Sequence, residues 1–166
     1  MPFDPTSRRR FGTRLASILG LGAGTLAFSA KAGGAPRRNE VRKLNYKGEP
    51  ASGKQMITPL IVHNGLIYIS GQGANDAGAV NQNDIETHTH KVMENVKHLV
   101  EQGGGSMESI LQLTVYLASL DDYAGMNKVF RTYFPNGGPA RTTIAVAGVP
   151  GHSLLEVNCI AAVTRR

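Results

Sequence analysis

The sequence has one cysteine, no tryptophan and few aromatic residues of any kind, which make up 6% of its 166 residues. A single cysteine, Cys159, excludes an internal disulfide, so no disulfide framework can replace a hydrophobic core. Cys159 lies in an apolar stretch, and we expect it to be a small core residue. The length is sufficient for one domain with one core.

Familiar cofactor and metal motifs are also missing from the sequence. There is no G-x-x-x-x-G-K-[ST] loop, and the glycines at positions 20, 22 and 24 have the wrong spacing for a dinucleotide loop. The five histidines never form an H-x-x-x-H pair. His88 and His90 are two residues apart on a predicted helix and point in different directions. We therefore expect neither a metal nor a cofactor, and we interpret the histidines as solvated polar residues.

The N-terminus lacks an apolar run of about 20 residues, the length of a membrane-spanning helix. It has instead Ser7-Arg8-Arg9-Arg10-Phe11, the uncharged stretch 15–28 and Ala30-Lys31-Ala32. This order resembles a twin-arginine (Tat) signal peptide with an A-x-A cleavage site. We predict that residues 1–32 are this signal, cleaved after Ala32, and that the protein is periplasmic or otherwise exported. Contact with the membrane is then transient, and the alternative is an uncleaved membrane anchor.

The charge balance changes when the predicted signal is removed. The whole chain has a net charge of +6, and residues 1–32 contain five basic residues against one acidic residue, leaving +2 for the rest. A basic stripe with interleaved aromatic residues, which would indicate nucleic-acid binding, is not found. We expect no nucleic-acid partner.

The remaining sequence predicts an α+β domain. Residues 33–43 are small and polar and predict a flexible leader, and the domain is expected over 44–166. Apolar periodicity predicts two helices that begin at Asp84 and at Asp121 or Asp122. Strands are predicted at about 41–46, 59–62, 66–69, 111–117, 141–149 and 154–163, giving the order β-β-β-α-β-α-β-β. Both helices are expected on one face of a mixed sheet, and the uncovered face favours a homo-oligomer.

Two charged residues stand out in the C-terminal strands. Arg141 begins one predicted apolar strand and Glu156 lies inside the next. Buried charges are costly without partners, so the two could form a structural ion pair, or each could be exposed at an edge. An arginine fork is also the preferred binder of a carboxylate, which makes Arg141 a candidate ligand-binding residue.

Several motifs resemble those of the RidA (YjgF) family across about residues 44–166. They are Ser70-Gly71-Gln72, Asn95-Val96, 114–117, Asn127, Phe134, Pro139-Ala140-Arg141-Thr142-Thr143, and Leu155-Glu156-Val157 followed by 161–163. The resemblance implies a chorismate-mutase-like α+β fold and a homotrimer with sites in the clefts between subunits. It also implies hydrolysis of imines and enamines, of the 2-iminobutanoate and 2-iminopropanoate type, to 2-oxo acids and ammonia without a metal or cofactor.

The resemblance also implies roles for individual residues. Arg141 matches the arginine that binds the substrate carboxylate, and Glu156 matches the acid that positions or activates the attacking water. Ser70 and Asn127 match residues of the substrate-binding cleft. Thr143 completes the substrate-binding set, at a position where cysteine is frequent.

The sequence departs from the family pattern in one further segment. Gly-Pro-Tyr-x-Gln, which precedes the second strand in the family, is missing, and Ile57 lies where a cleft tyrosine is expected. Tyr46 is one residue that could take its place. Both this change and Thr143 bear on the substrate more than on the fold.

Four functions follow as hypotheses. The first is an imine or enamine deaminase, and the second is a non-catalytic trimeric binder of small carboxylates or a divergent hydrolase with another substrate. The third is the ribonuclease or translation-inhibitor role attached to the family, against which the export signal and the small charge argue. The fourth is a chaperone-like role, for which the sequence offers no large apolar surface stretch.

Overall fold

A computed structural model describes residues 40–74 and 84–164 of the chain. The predicted signal peptide over 1–32, its cleavage site and the leader as far as residue 39 lie outside the described residues. Among the residues that are described, no helix has the length and apolar character needed to cross a membrane.

Within these ranges the strands and helices follow the predicted order β-β-β-α-β-α-β-β. The elements are β1 (Arg42–Leu44), β2 (Leu60–His63), β3 (Leu66–Gly73), α1 (Ile85–Gln102), β4 (Ile110–Leu117), α2 (Tyr123–Tyr133), β5 (Ala140–Ala145) and β6 (Leu155–Ala162). Short 3₁₀ turns precede β4, α2 and β6.

The strands form one mixed sheet in the order β1-β2-β3-β6-β4-β5. β5 runs parallel to β4, and the other neighbours are antiparallel. Buried side chains alternate along β4 and β6, and both helices cover the same face of the sheet. This arrangement confirms the α+β fold predicted from periodicity.

The first helix begins and ends where the sequence indicates. The Asp84 carboxylate accepts a hydrogen bond from the backbone N–H of Thr87 at 2.9 Å, which caps the helix and holds the pKa of Asp84 below its ordinary value. Val92, Val96 and Leu99 are buried against the sheet. Gly103 ends the helix.

The second helix begins by a different device from the one expected. Asp122 is at the N-cap but makes no capping hydrogen bond with its side chain. The Ser119 hydroxyl instead accepts from the backbone N–H of Asp121 at 3.1 Å, capping the 3₁₀ turn that leads into the helix. Met126 and Phe130 are buried, as their helical spacing predicts.

The β2–β3 hairpin follows from its Asn-Gly turn. Asn64 and Gly65 have φ values of 50° and 77°, and a two-residue turn with both φ values positive matches the twist of the flanking strands. This hairpin places β3 in the middle of the sheet beside β6.

Further sequence-based expectations are corrected by the structure. β3 continues to Gly73 instead of ending at residue 69. β5 ends at Ala145 instead of continuing to residue 149, because Val146 N–H donates to Leu117 C=O at the last residue of β4 and no strand continues beside it. His88 is buried instead of solvated, and its Nδ1 accepts a hydrogen bond from Leu154 N–H at 3.1 Å. His88 therefore fixes the backbone just before β6.

The one thiol of the chain is a core group, as the sequence predicts. Cys159 is 4% exposed and packs in the apolar cluster between sheet and helices. Burial raises the pKa of the Cys159 thiol to about 12. The thiolate is the reactive form, so the native thiol is inert over the neutral range.

We expect Cys159 to resist a thiol reagent until the protein opens. At pH 8 the native protein should react with a disulfide reagent at no more than about a hundredth of the rate measured in guanidinium chloride. Absorbance of the released thiolate measures this rate, and every signal belongs to Cys159 because the chain has one cysteine. Equal rates in buffer and in denaturant would contradict the core position.

Candidate functional site

Arg141 lies on the edge strand β5 and turns toward the second helix. Its Cα is paired with that of Leu113, a fully buried residue, so its side chain is on the helix-covered face. The guanidinium carbon lies 4.6 Å from the centre of the Phe130 ring and 5.9 Å from that of Tyr123. Nη2 donates to the Tyr123 hydroxyl at 3.4 Å. Stacking on aromatic rings therefore holds the guanidinium in a defined place.

The guanidinium of Arg141 has no acidic partner in the part of the chain that the structure describes. Its contacts there are the two rings, the Tyr123 hydroxyl and the sulfur of Met126, which lies 3.9 Å from Nη1. A half-buried arginine with N–H groups that meet no carboxylate is suited to an anionic ligand.

Thr143 and Asn127 lie on the same side of the sheet as Arg141. Thr143 follows Arg141 by two residues on β5 and is half-buried, and its hydroxyl is buried without a hydrogen-bond partner among the described residues. Asn127 is half-buried on α2, one turn after Tyr123, and both line a cavity of about 470 Å³ on the helix surface. Tyr123 therefore contacts Arg141 and also lines the cavity that Asn127 lines.

Glu156 lies on the opposite face of the sheet. On β6 it is paired with Tyr116 of β4 and with Gly73 of β3, and its side chain is half-buried. A Cβ atom added to Gly71 would lie 2.6 Å from Cδ of Glu156 and closer still to Oε1. The Glu156 carboxylate can therefore pack against β3 only because residue 71 has no side chain.

Ser70 belongs to an irregularity in β3 beside Glu156. Ile69 pairs with Cys159 and Gln72 with Val157, so Ser70 and Gly71 together face one residue of β6. This is the two-against-one arrangement of a β-bulge, which bends a strand and redirects side chains. Ser70 Oγ accepts a hydrogen bond from Gln72 Nε2 at 3.1 Å.

The structure thus brings the predicted site residues together in two groups, not one. The first group, which we name the arginine group, consists of Arg141, Thr143 and Asn127. The second, the glutamate group, consists of Ser70 and Glu156. Leu113 and Tyr116, the partners of Arg141 and Glu156 on β4, are three positions apart, so strand alternation puts the two groups on opposite faces. The alternative of an Arg141–Glu156 ion pair within one chain is therefore wrong.

Glu156 also lines a small cavity of about 130 Å³ with Tyr116 and the segment 146–150. The side chain thus has space beside it on the uncovered face of the sheet. A water molecule or a small ligand fits such a volume.

The position of the missing tyrosine is part of a third cavity. Ile57 and Tyr46 both line a cavity of about 270 Å³ in the loop between β1 and β2. Both are exposed, and the Tyr46 carbonyl contacts His98 Nε2 of α1 at 2.7 Å. Tyr46 thus shares a cavity with the residue that stands at the tyrosine position.

Sequence reasoning missed three residues that shape the two groups. One of them is Tyr123, whose spacing of four residues from Asn127 puts both on adjoining turns of one helix face. Gly71 and Gln72 were used as part of a motif, without a role for either. The signal for Gly71 was a glycine inside a strand, which often marks a bulge or a close approach.

The expectation of a site without metal stays a prediction. In residues 40–74 and 84–164, no three histidine, cysteine, aspartate or glutamate side chains come together in a way that could hold a metal ion.

Comparison with known proteins places this geometry in a family. The sequence model of the family described as Endoribonuclease L-PSP matches residues 49–163. A RutC family protein of Pyrococcus abyssi is 37% identical over 98 residues, which cover 58% of this chain and 77% of the relative. The chloroplastic Reactive Intermediate Deaminase A of Arabidopsis thaliana is 31% identical over 100 residues, covering 59% of this chain and 54% of the relative.

A solved structure agrees with the fold as well. The crystal structure of yeast Mmf1 superposes with a TM-score of 0.66 at 26% identity, covering 75% of this chain and all of that one. Because the family model spans more than half of the chain and the sheet and helices match, the protein described by this sequence belongs to the RidA/YjgF/L-PSP family.

Proposed function

We propose that the protein hydrolyses small 2-imino acids and their enamine forms, of the 2-iminobutanoate and 2-iminopropanoate type, to 2-oxo acids and ammonia. Family membership and the name of the Arabidopsis relative, a reactive intermediate deaminase, support a deaminase. The observation that carries the proposal is the Arg141 guanidinium, which rests on the Phe130 ring without an acidic partner in the described ranges. The substrate carboxylate would supply the anion that this arginine lacks.

The chemistry needs an anchored substrate, an aligned water molecule and proton transfer to nitrogen. Water adds its oxygen to the imine carbon, the carbon–nitrogen bond breaks, and the products are the 2-oxo acid and ammonia. In this proposal Arg141 binds the carboxylate through two parallel hydrogen bonds. Glu156 accepts the proton of the attacking water and passes a proton to the leaving nitrogen.

The other predicted residues complete the binding of the substrate. The Thr143 hydroxyl, buried without a partner in the described ranges, would donate to or accept from the substrate beside Arg141. Asn127 would border the substrate from the cavity that it lines together with Tyr123. Ser70 would contact the substrate beside Glu156, because the Glu156 carboxylate packs on Gly71, the residue that follows Ser70.

A complete site in this proposal requires two copies of the chain, because the arginine group and the glutamate group lie on opposite faces of one sheet. Apolar side chains on the uncovered face favour association. Tyr68 and Ile144 are 39% and 44% exposed there. We propose the homotrimer implied by the resemblance, with Arg141 of one copy facing Glu156 of the next.

The first test is a pair of substitutions assayed with 2-iminopropanoate generated in situ. Arg141→Met keeps an unbranched stem as far as the position of Nε but removes the charged fork, and we expect kcat/KM to fall at least about a hundredfold and pyruvate binding to be lost. Glu156→Gln should lower kcat by about a hundredfold or more and retain pyruvate binding, measured by calorimetry. Arg42→Met, an exposed arginine at the far edge of the sheet, is the matched control and should behave as wild type.

Two results would contradict the deaminase. One is a wild-type protein that does not accelerate pyruvate release, and the other is full activity in Arg141→Met. Binding of pyruvate or 2-oxobutanoate without turnover would favour the second candidate, a small-carboxylate binder or a hydrolase with another substrate, which the cavity shared by Ile57 and Tyr46 supports. RNA cleavage that disappears in Glu156→Gln would instead support the activity in the family description.

The second test asks whether one site draws on two copies. Arg141→Met and Glu156→Gln subunits are each expected to form inactive oligomers. Unfolding and refolding an equal mixture should restore about a quarter of the wild-type activity, because one interface in four combines an intact Arg141 with an intact Glu156. Refolded single variants are the controls. A mixture as inactive as its components would show that both residues serve a site in the same copy.

We also propose export through the twin-arginine route, which rests on the sequence of residues 1–32. In a bacterium with this pathway, the full chain should reach the periplasm and lose residues 1–32, as measured by fractionation and intact mass. The double change Arg8→Lys and Arg9→Lys should keep the protein in the cytoplasm, whereas Arg14→Lys should leave export unchanged. Full-length protein in the membrane fraction would favour the uncleaved anchor.

A further inference from the structure

The side chain of Gln72 is buried, and its Nε2 bonds among the described residues all go to Ser70 and Gly71 in the bulge of β3. Its side chain is 4% exposed, and its Cα is paired with that of Val157 in the core. Nε2 lies 3.0 Å from the carbonyl oxygen of Ser70, 3.1 Å from Ser70 Oγ and 3.1 Å from the carbonyl oxygen of Gly71. The two N–H groups are therefore shared among three acceptors of the bulge.

These bonds constrain Ser70 in a specific way. A serine hydroxyl has one donor and two acceptor positions, and Gln72 uses an acceptor position. The hydroxyl proton of Ser70 then remains to be donated to another group. Without the amide, the hydroxyl could rotate and donate to the nearest carbonyl instead.

The same bonds constrain the position of Glu156. The Cβ position of Gly71 is 3.2 Å from Cγ of Glu156 and 2.6 Å from Cδ, so the carboxylate rests directly on the glycine. Gln72 holds the carbonyl groups on both sides of the Gly71 amide. A shift of the bulge would therefore move the surface against which the carboxylate packs.

We propose that Gln72 is a positioning residue: from the buried side of β3 it fixes the bulge so that the Ser70 hydroxyl proton and the Glu156 carboxylate are presented together to the substrate and its attacking water. This inference rests on the proposed deaminase function. Gln72 does not touch the substrate, and its effect is exerted on the catalytic step. Binding of the carboxylate belongs to Arg141, which lies on the face of the sheet opposite to Glu156 and in this proposal comes from a neighbouring copy.

The chain offers a matched control for this role. Asn95 of α1 donates from Nδ2 to the carbonyl oxygen of Gly73 at 3.3 Å, so it also ties the end of β3 to its surroundings. Asn95 touches neither Ser70 nor Gly71 in the contacts of the described residues. Losing this bond should loosen the same strand end without releasing the bulge.

The experiment compares Gln72→Met with Asn95→Leu in the full chain. For Gln72→Met we expect kcat for 2-iminopropanoate to fall by about tenfold to a hundredfold, with the Kd for pyruvate within about twofold of wild type. For Asn95→Leu we expect a lowered Tm and a kcat within about twofold of wild type. Adding Gln72→Met to Ser70→Ala should cost much less than it costs alone, because the two changes remove parts of one unit.

A third variant decides the question if Gln72→Met does not fold. Gln72→Glu keeps the shape of the side chain but donates a hydrogen bond only while its carboxyl is protonated. Its kcat relative to wild type should therefore rise as the pH is lowered while its circular dichroism spectrum stays that of the folded protein, whereas a merely structural residue would change activity only together with the folded fraction. A ratio that stays flat across the pH range would overturn the proposal.

Failure of this inference is distinguishable from failure of the function. An inactive wild-type protein would overturn the deaminase and this role with it. An active wild type, together with a Gln72→Met variant of unchanged kcat, would overturn the positioning role alone. So would a kcat that falls equally in Gln72→Met and Asn95→Leu.

Discussion

The alternation of side chains along strands, in a sheet that the helices cover on one face only, determines which candidate site residues can meet within one copy of the chain. The helices bury the side chains of Leu113 and Val115 on β4, and the residues in register with them on the neighbouring strands point to the same face. Arg141 is on that face and Glu156 is on the other. A change of rotamer cannot move either residue through the sheet, so a site that uses both must be built where two copies meet.

Because Arg141 and Glu156 lie on opposite faces of the sheet, they cannot neutralise each other within one chain. In one chain an arginine and a glutamate at bonding distance would neutralise each other, and a buried pair of this kind has little tendency to open for a ligand. Here the guanidinium of Arg141 stacks on Phe130, and the Glu156 carboxylate rests on Gly71. Among the described residues neither side chain is paired with an opposite charge, so both charges would be available to the proposed substrate. In the homotrimer that we propose, the two residues would come from different copies, and the ligand would lie between them.

Periodicity predicted the elements because burial follows the geometry of strands and helices. It failed where a polar residue occupies a core position or where a partner strand ends. His88 lies four residues before Val92 on the buried stripe of α1, but its polar side chain concealed that position. The apolar run after Arg141 continues to Val149, yet its pairing stops at Ala145 because β4 ends at Leu117. The identities of the site residues came from a resemblance to known motifs, whereas their faces depend on pairing register, which the sequence does not state.

The Ser70-Gly71-Gln72 motif shows why residue type and position have to be considered together. A serine, a glycine and a glutamine in a strand suggest a weak, polar segment by propensity alone. In the folded chain the glycine provides space for the Glu156 carboxylate, and the glutamine bonds the bulge from the core. In a regular strand, residues three positions apart face opposite sides of the sheet. Because the bulge inserts one residue, Ile69 and Gln72 both face the core. An unbroken strand would have put Gln72 on the uncovered face, and the motif would have lost both its buried amide and the surface under Glu156.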